Sequence, residues 1–118
     1  MLRHVALEVR PEKVQPETAF WSAIGFEEVE VPADAGGDPV WLEREGTQVH
    51  LLPTAEPVVP SLGHPAVEVP DLEAAISRLE AGGLEVSRRS EYWGTARAKV
   101  NSPGGHLVEL MAGPPGNG

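Results

Sequence analysis

The sequence predicts an α+β fold in which one β-α-β-β-β unit is used twice. Three observations carry that prediction. HVALEV (4–9) returns sixty residues later as HPAVEV (64–69). QVHLL (48–52) returns at almost the same offset as LVELM (107–111). Each half also holds a helical apolar pattern closed by glycine, followed by IGFEEV (24–29) in one half and GLEV (83–86) in the other. A supersecondary unit repeated at fixed spacing is the signature of a duplicated module.

The elements follow in order. His4–Val9 is a β-branched and aliphatic run stopped by Arg10-Pro11, hence a strand. Gln15-Pro16 opens a helix, with Pro16 in the first turn, where a missing N–H costs nothing. Ala19, Phe20, Ala23 and Ile24 give that helix an apolar face, and Gly25 ends it. Phe26–Val31 and Val40–Arg44 are strands around the loop PADAGGDP (32–39), and Gln48–Leu52 is the fourth strand after a turn at Glu45-Gly46. In the second half, His64–Val69 is a strand, and Asp71 caps a helix whose buried face is Leu72, Ala75, Ile76 and Leu79. Gly82-Gly83 ends that helix. Strands follow at Leu84–Arg88, Ala96–Asn101 and His106–Met111, with Tyr92-Trp93-Gly94 in or beside a loop. The predicted organisation is a first module at 1–53, a stiff proline-rich linker at 54–63, a second module at 64–113 and a disordered tail at 114–118.

Composition narrows the function. Hydrophobic residues make up 41%, enough for a core, and no cysteine is present, which excludes disulfides, thiolate metal sites and cysteine nucleophiles. A net charge of −9 argues against a nucleic-acid partner, because phosphate contacts need clustered cations. The N-terminus MLRHVALEVR does not read as a signal peptide, and no apolar run approaches the ~18 residues of a membrane span. The expectation is a soluble cytoplasmic protein with no membrane partner.

A four-stranded sheet with one helix has one covered and one bare face, and two such units can enclose a pocket by packing their bare faces together. Strand alternation puts His4, Ala6 and Glu8 on the bare face of the first strand, and His64, Ala66 and Glu68 on that of its repeat. In the last strands it puts Gln48, His50 and Leu52, and Leu107, Glu109 and Met111, on the same side. The repeat therefore superposes His4 on His64 and His50 on Glu109. Three histidines and a carboxylate suit Fe(II), Mn, Ni, Co or Zn, so His4, His50, His64 and Glu109 are the candidate ligands of one divalent metal ion. The bland alternative, isolated polar residues at strand ends, has to explain why three of the four histidines occupy repeat-equivalent slots. His50 has a second possible role, as an acid or base beside a triad of His4, His64 and Glu109.

Glu109 and His50 are the candidate catalytic proton carriers, with Gln48 orienting substrate. Glu8 and Glu68 lie ~13 Å along the strand from the histidines, too far to be ligands. Trp93 and Tyr92 either overhang the pocket mouth or pack on the core. Arg97 either binds a substrate anion or lies on the surface, the second being favoured. Gln48, Trp93 and Arg97 are thus the substrate-binding candidates. His106 follows a turn glycine and is expected to be exposed.

The ordered set HVALEV, FWSAIGF, QVHLL, GHPAVEV, DLEAAISRLEAGGLEV and SPGGHLVEL resembles the vicinal oxygen chelate superfamily, which includes glyoxalases, bleomycin-resistance proteins and extradiol dioxygenases. The likeness runs from His4 to Met111. It implies a glyoxalase-like fold, metal slots at His4, His50, His64 and Glu109, and a homodimer, with the pocket closed within one chain or by swapped units. It implies a metal-dependent lyase or isomerase of glyoxalase type acting on a small oxygen-chelating substrate. An extradiol ring-cleaving dioxygenase and a non-enzymatic protein that sequesters an antibiotic are the alternatives. Two departures matter. Ser102-Pro103-Gly104 stands where the family often has Asp-Pro, and His50 stands where glyoxalase I-like members have a carboxylate. Fosfomycin-resistance enzymes resemble the His-His-Glu set and use a cationic phosphonate pocket, for which Arg97 and Lys99 are the visible candidates.

Overall fold

A computed structural model describes residues 1–116. The chain divides into two compact units, Met1–Val59 and a second beginning at Pro60, so the division falls within the proline-rich stretch. The last two residues of the tail expected to be disordered lie outside the described residues.

In the first unit, β1 (His4–Val9) is followed by a single 3₁₀ turn (Pro11–Lys13), α1 (Val14–Ala23), β2 (Glu27–Val29), β3 (Val40–Arg44) and β4 (Thr47–Pro53). The sheet order is β1-β4-β3-β2, with β1 parallel to β4 and the other pairs antiparallel. The second unit holds β5 (Ala66–Glu68), α2 (Leu72–Ala81), β6 (Val86–Tyr92), β7 (Thr95–Asn101) and β8 (Leu107–Met111), in the order β5-β8-β7-β6. The two sheets have the same topology, and the chain has the predicted α+β class with two β-α-β-β-β units.

The helix-to-strand junctions repeat in detail. Gly25 and Gly83 have φ of +101° and +92°, left-handed values that favour glycine. Around them Gly25 N–H bonds to Ser22 O and Phe26 N–H to Trp21 O. Gly83 N–H bonds to Glu80 O and Leu84 N–H to Leu79 O in the same way. These are paired Schellman closures that satisfy the last carbonyls of each helix and tuck an apolar residue beneath it. At the other end of α2, the Asp71 carboxylate accepts from Ala74 N–H at 3.0 Å, the expected cap.

The cores sit between sheet and helix. Leu7, Val9, Leu42, Val49 and Leu51 are buried in the first unit, and Val100, Val108 and Leu110 in the second. The buried stripe of α2 is Leu72, Ala75, Ile76 and Leu79, as the spacing predicts. The stripe of α1 differs from expectation: Ala19 is exposed and Ala23 only half-buried, while Glu17, Phe20, Trp21 and Ile24 are buried. The spacing 17, 20, 21, 24 is the helical period, but its first member is a carboxylate and its third a large aromatic. Glu17 is tolerated at 0% exposure because Trp21 Nε1–H donates to its Oε2 at 3.1 Å. α1 also begins at Val14, before Pro16, which sits in the first turn where no intrahelical N–H is needed.

β6 runs on to Tyr92, four residues past the expected end at Arg88, and meets β7 through the two-residue turn Trp93-Gly94. Both turn residues have positive φ, +54° and +72°, the geometry of a type I′ hairpin. Tryptophan is strained there, since its Cβ crowds the following carbonyl. Trp93 is also 56% exposed, so little burial offsets the strain. Trp93→Gly is expected to raise stability by about 1 kcal/mol, read as an upward shift in urea midpoint at unchanged slope. An unchanged or lower midpoint would show that the indole makes a compensating contact. Among the described residues no helix is long and apolar enough to cross a membrane.

Candidate metal and substrate site

Each sheet places a small residue opposite a polar one on its parallel pair. Ala6 stands opposite His50, and Ala66 opposite Glu109. Alanine leaves space above the sheet for the histidine two residues earlier in the chain, His4 in one unit and His64 in the other. Equivalent pairs accordingly meet within each unit, His4 with His50 in the first and His64 with Glu109 in the second.

In the second unit His64 Nε2 lies 3.2 Å from Glu109 Oε1. His64 Nδ1 is 2.8 Å from Leu62 O, and a carbonyl only accepts, so Nδ1 carries the proton. In the neutral ring, Nε2 then presents a lone pair toward a carboxylate oxygen. Two electron-rich atoms facing each other are relieved by a proton or a metal cation. A backbone carbonyl fixing the tautomer is also how ligating imidazoles are commonly held. The donor chemistry of this pair therefore fits a divalent metal. Glu109 is 8% exposed, and its second oxygen accepts from Arg97 Nη1 at 3.4 Å. Arg97 is in turn fixed by Nε–H donation to Ser90 O at 2.8 Å and by the Tyr92 ring, 3.7 Å from Cζ.

Arg97 thus departs from the favoured surface reading: it is only 7% exposed, held between Glu109 and Tyr92. The aromatic that covers it, Tyr92, comes from β6, beyond that strand's predicted end. His106, expected to be exposed, is also buried, at 4%. Its backbone N–H donates to Ser102 Oγ, which ties the turn inward. The predicted strand His64–Val69 is assigned only over Ala66–Glu68, although Glu109 N–H still bonds to Pro65 O. Pro65 has no N–H to extend the ladder.

In the first unit His4, His50 and Trp41 form a stack of three rings. The His4 and His50 centroids are 4.1 Å apart, and those of His50 and Trp41 4.0 Å. Gln48 Nε2–H donates to Glu43 Oε1 at 2.8 Å, which turns Gln48 Oε1 toward His50 Nε2 at 2.7 Å. His50 Nε2 therefore carries the proton and Nδ1 the lone pair, the opposite of His64. Gln48, expected to face substrate, is committed to this relay. A cavity of about 230 Å³ lies between the loop at Gly36, Gly37 and Asp38 and the side chains of Trp41, His50 and Leu52. Glu8 accepts from Val58 N–H at 3.0 Å and so pins the chain beyond β4. Trp93 is an exposed turn residue against the edge of Tyr92.

The four candidate ligands thus stand as two pairs, and among the described residues no three His, Asp or Glu side chains gather as one metal-binding group. Sequence reasoning missed Trp41, Glu43 and Glu17. Trp41 and Glu43 were visible only as members of β3; their register with β4 sets Trp41 opposite His50 and Glu43 opposite Gln48.

Burial, and after it the charge of His4, holds the His50 pKa below the usual histidine range. Between that lowered value and the unfolded value of about 6.5, the unfolded chain binds more protons than the native one, so stability rises with pH. Metal-free protein is expected to lose stability as pH falls below about 6.5, and His50→Gln to flatten that loss, as read from urea midpoints across pH. An identical pH profile in the variant would contradict this.

Residues 3–110 match the Glyoxalase/Bleomycin resistance protein/Dioxygenase superfamily. The chain belongs to this superfamily. A solved structure from Bacillus anthracis described within the glyoxalase family is 22% identical, with a TM-score of 0.83 over 94% of this chain and 93% of that one. A variant of the fosfomycin resistance protein FosX from Listeria monocytogenes, solved with Mn(II) and 1S,2S-dihydroxypropylphosphonic acid, is 20% identical, with a TM-score of 0.77 over 98% and 94%. TnmS3, an antibiotic binding protein from Streptomyces sp. CB03234, is 14% identical, with a TM-score of 0.69 over 93% of each chain. At these identities the likenesses establish the glyoxalase-like fold. No curated protein matches the sequence.

Proposed function

We infer that the chain is a divalent-metal-dependent lyase or isomerase of glyoxalase type acting on a small substrate with two neighbouring oxygens. One observation carries this reading: Leu62 O holds the Nδ1 proton of His64 and leaves Nε2 3.2 Å from the Glu109 carboxylate, a pair that a divalent cation would bridge. His64 and Glu109 are the first two ligands of the proposed centre. The sequence repeat nominates His4 and His50 to complete it, from the same chain or from a second copy in a homodimer.

A bound divalent ion, whether Fe, Ni, Zn, Mn or Co, would supply Lewis acidity that favours an enolate of a chelating substrate. The chain's own groups do the rest. Arg97 holds one oxygen of Glu109 and so orients the other toward His64. His50 is kept neutral by its burial and carries its lone pair on Nδ1, which suits a general base at neutral pH. That same Nδ1 lone pair serves either of its two expected roles, metal ligand or acid–base group. The Gln48–Glu43 relay holds the ring in that tautomer.

The test is the metal content of protein purified without a chelator or polyhistidine tag, by elemental mass spectrometry. The expected result is near-stoichiometric metal in the wild type and little in His64→Ala. Iron with ring-cleaving activity on catechols would replace the reading by the dioxygenase alternative. Failure to bind any divalent ion, even when supplied, would replace it by antibiotic sequestration, the activity that TnmS3's name describes.

A further inference from the structure

The ion pair of Glu109 is not the one that strand register favours. Lys99 stands directly opposite Glu109, whereas Arg97 stands opposite Met111 and reaches Glu109 only on the diagonal. Directly opposite side chains are the closer pair across a ladder. The Glu109 carboxylate nevertheless pairs with Arg97, Nη1 to Oε2 at 3.4 Å. On its other side Arg97 faces Arg89, a like charge that cannot anchor it. The guanidinium is therefore steered toward Glu109 by something other than its register partners.

The steering comes from an irregularity in β6. Arg89 pairs with Arg97 and Tyr92 with Thr95, so two residues of β6, Ser90 and Glu91, stand against the single Ala96 of β7. That is a β-bulge, and a bulge re-aims the side chains beside it. In an unbroken ladder running on from Arg89, Glu91 would oppose Thr95, on the face of Arg97. A carboxylate there would draw Arg97 away from Glu109. The extra residue brings Tyr92 to that place instead. Its ring covers Arg97 Cζ at 3.7 Å, and a carbonyl of the bulge, Ser90 O, accepts from Arg97 Nε–H at 2.8 Å. The guanidinium is planar and rigid, so fixing one face and one N–H also fixes where Nη1 points. Tyr92 itself is 48% exposed and contributes little to the core.

We propose that Tyr92 is a positioning residue of the metal centre: through Arg97 it holds the Glu109 carboxylate with Oε2 tied back and Oε1 turned to His64. The bulge at Ser90-Glu91 is the device that delivers it. Partners behind a metal ligand commonly govern affinity because they fix the ligand's orientation. The metal part of this assignment rests on the proposed function, whereas the hold on Glu109 stands independently of it.

The experiment compares wild type, Tyr92→Ala and Tyr92→Phe by two measurements. The first follows the Arg97 Nε–H and the Glu109 side-chain carboxyl resonances in metal-free protein. The second is calorimetric titration with Co(II). In Tyr92→Ala both resonances are expected to move, Arg97 toward the shift of a solvent-exposed arginine, and Co(II) affinity to fall about tenfold. Tyr92→Phe keeps the aromatic face and is expected to match wild type in both. Tyr92→Leu, which keeps bulk without that face, is expected to show the same losses as alanine, so that they are not mistaken for collapse of the hairpin. A wild type that binds no Co(II) would refute the proposed function, and the two resonances would still decide the hold on Glu109. Unmoved resonances in Tyr92→Ala, equal losses in Tyr92→Phe, or unchanged affinity in Tyr92→Ala when the wild type binds Co(II) would each overturn the proposal.

Discussion

Glu109→Ala is expected to lower divalent-metal affinity by at least ~100-fold and to destabilise the metal-free protein by about 2–4 kcal/mol. Two separate causes are at work. The metal effect follows from loss of the carboxylate facing His64 Nε2 at 3.2 Å. The stability effect follows from Arg97, which at 7% exposure would lose its carboxylate partner. Breaking a buried ion pair by removing one member leaves the other charge uncompensated, and the Ser90 carbonyl and Tyr92 ring soften that cost without removing it. Isothermal calorimetry with a divalent ion and urea unfolding of the apo protein read the two effects independently. A variant that loses metal at unchanged apo stability would show that Arg97 is satisfied without Glu109.

Trp21→Ala should destabilise the first unit by about 3–5 kcal/mol, the range for deleting a large buried aromatic. Trp21 is fully buried and packs edge-on against Phe20 and Phe26, each at 5.3 Å between centroids. Its removal also withdraws the indole N–H from the buried Glu17 carboxylate. Trp21→Phe separates the contributions: it keeps most of the packing and loses the donor, so its cost is expected to be the smaller of the two. Equal losses in both variants, measured by urea unfolding, would place the stabilisation in the hydrogen bond rather than in the ring.

The duplicated architecture was legible in the sequence because each unit is written by strong local signals. Alternation in HVALEV, the helical spacing of Leu72, Ala75, Ile76 and Leu79, and glycines at the Schellman positions 25 and 83 all act over a few residues. α1 was misread because Glu17 sits in the apolar stripe, where the Trp21 indole one helical turn on donates to its carboxylate and makes that position favourable. The end of β6 was misread because VSRRSEY lacks apolar alternation and has an exposed tryptophan where a I′ turn ordinarily has asparagine or glycine. That error carried over to Arg97, since its cover, Tyr92, lies on the missed part of β6. Face and repeat placed His64 and Glu109 on the same side of their strands, as part of an expected group of four. The tautomers were not legible, because they depend on Leu62 O and on the Gln48–Glu43 relay, which only the folded backbone brings into range.

We propose His64 and Glu109 as the core of a metal centre. Its most direct test is calorimetric titration of apo wild type, His64→Ala and Glu109→Gln with Co(II), with the visible spectrum recorded alongside. Saturable binding is expected in the wild type, with cobalt bands that report nitrogen and oxygen ligands, and loss of both heat and bands in each variant. Wild-type affinity and an unchanged cobalt spectrum in either variant would contradict it.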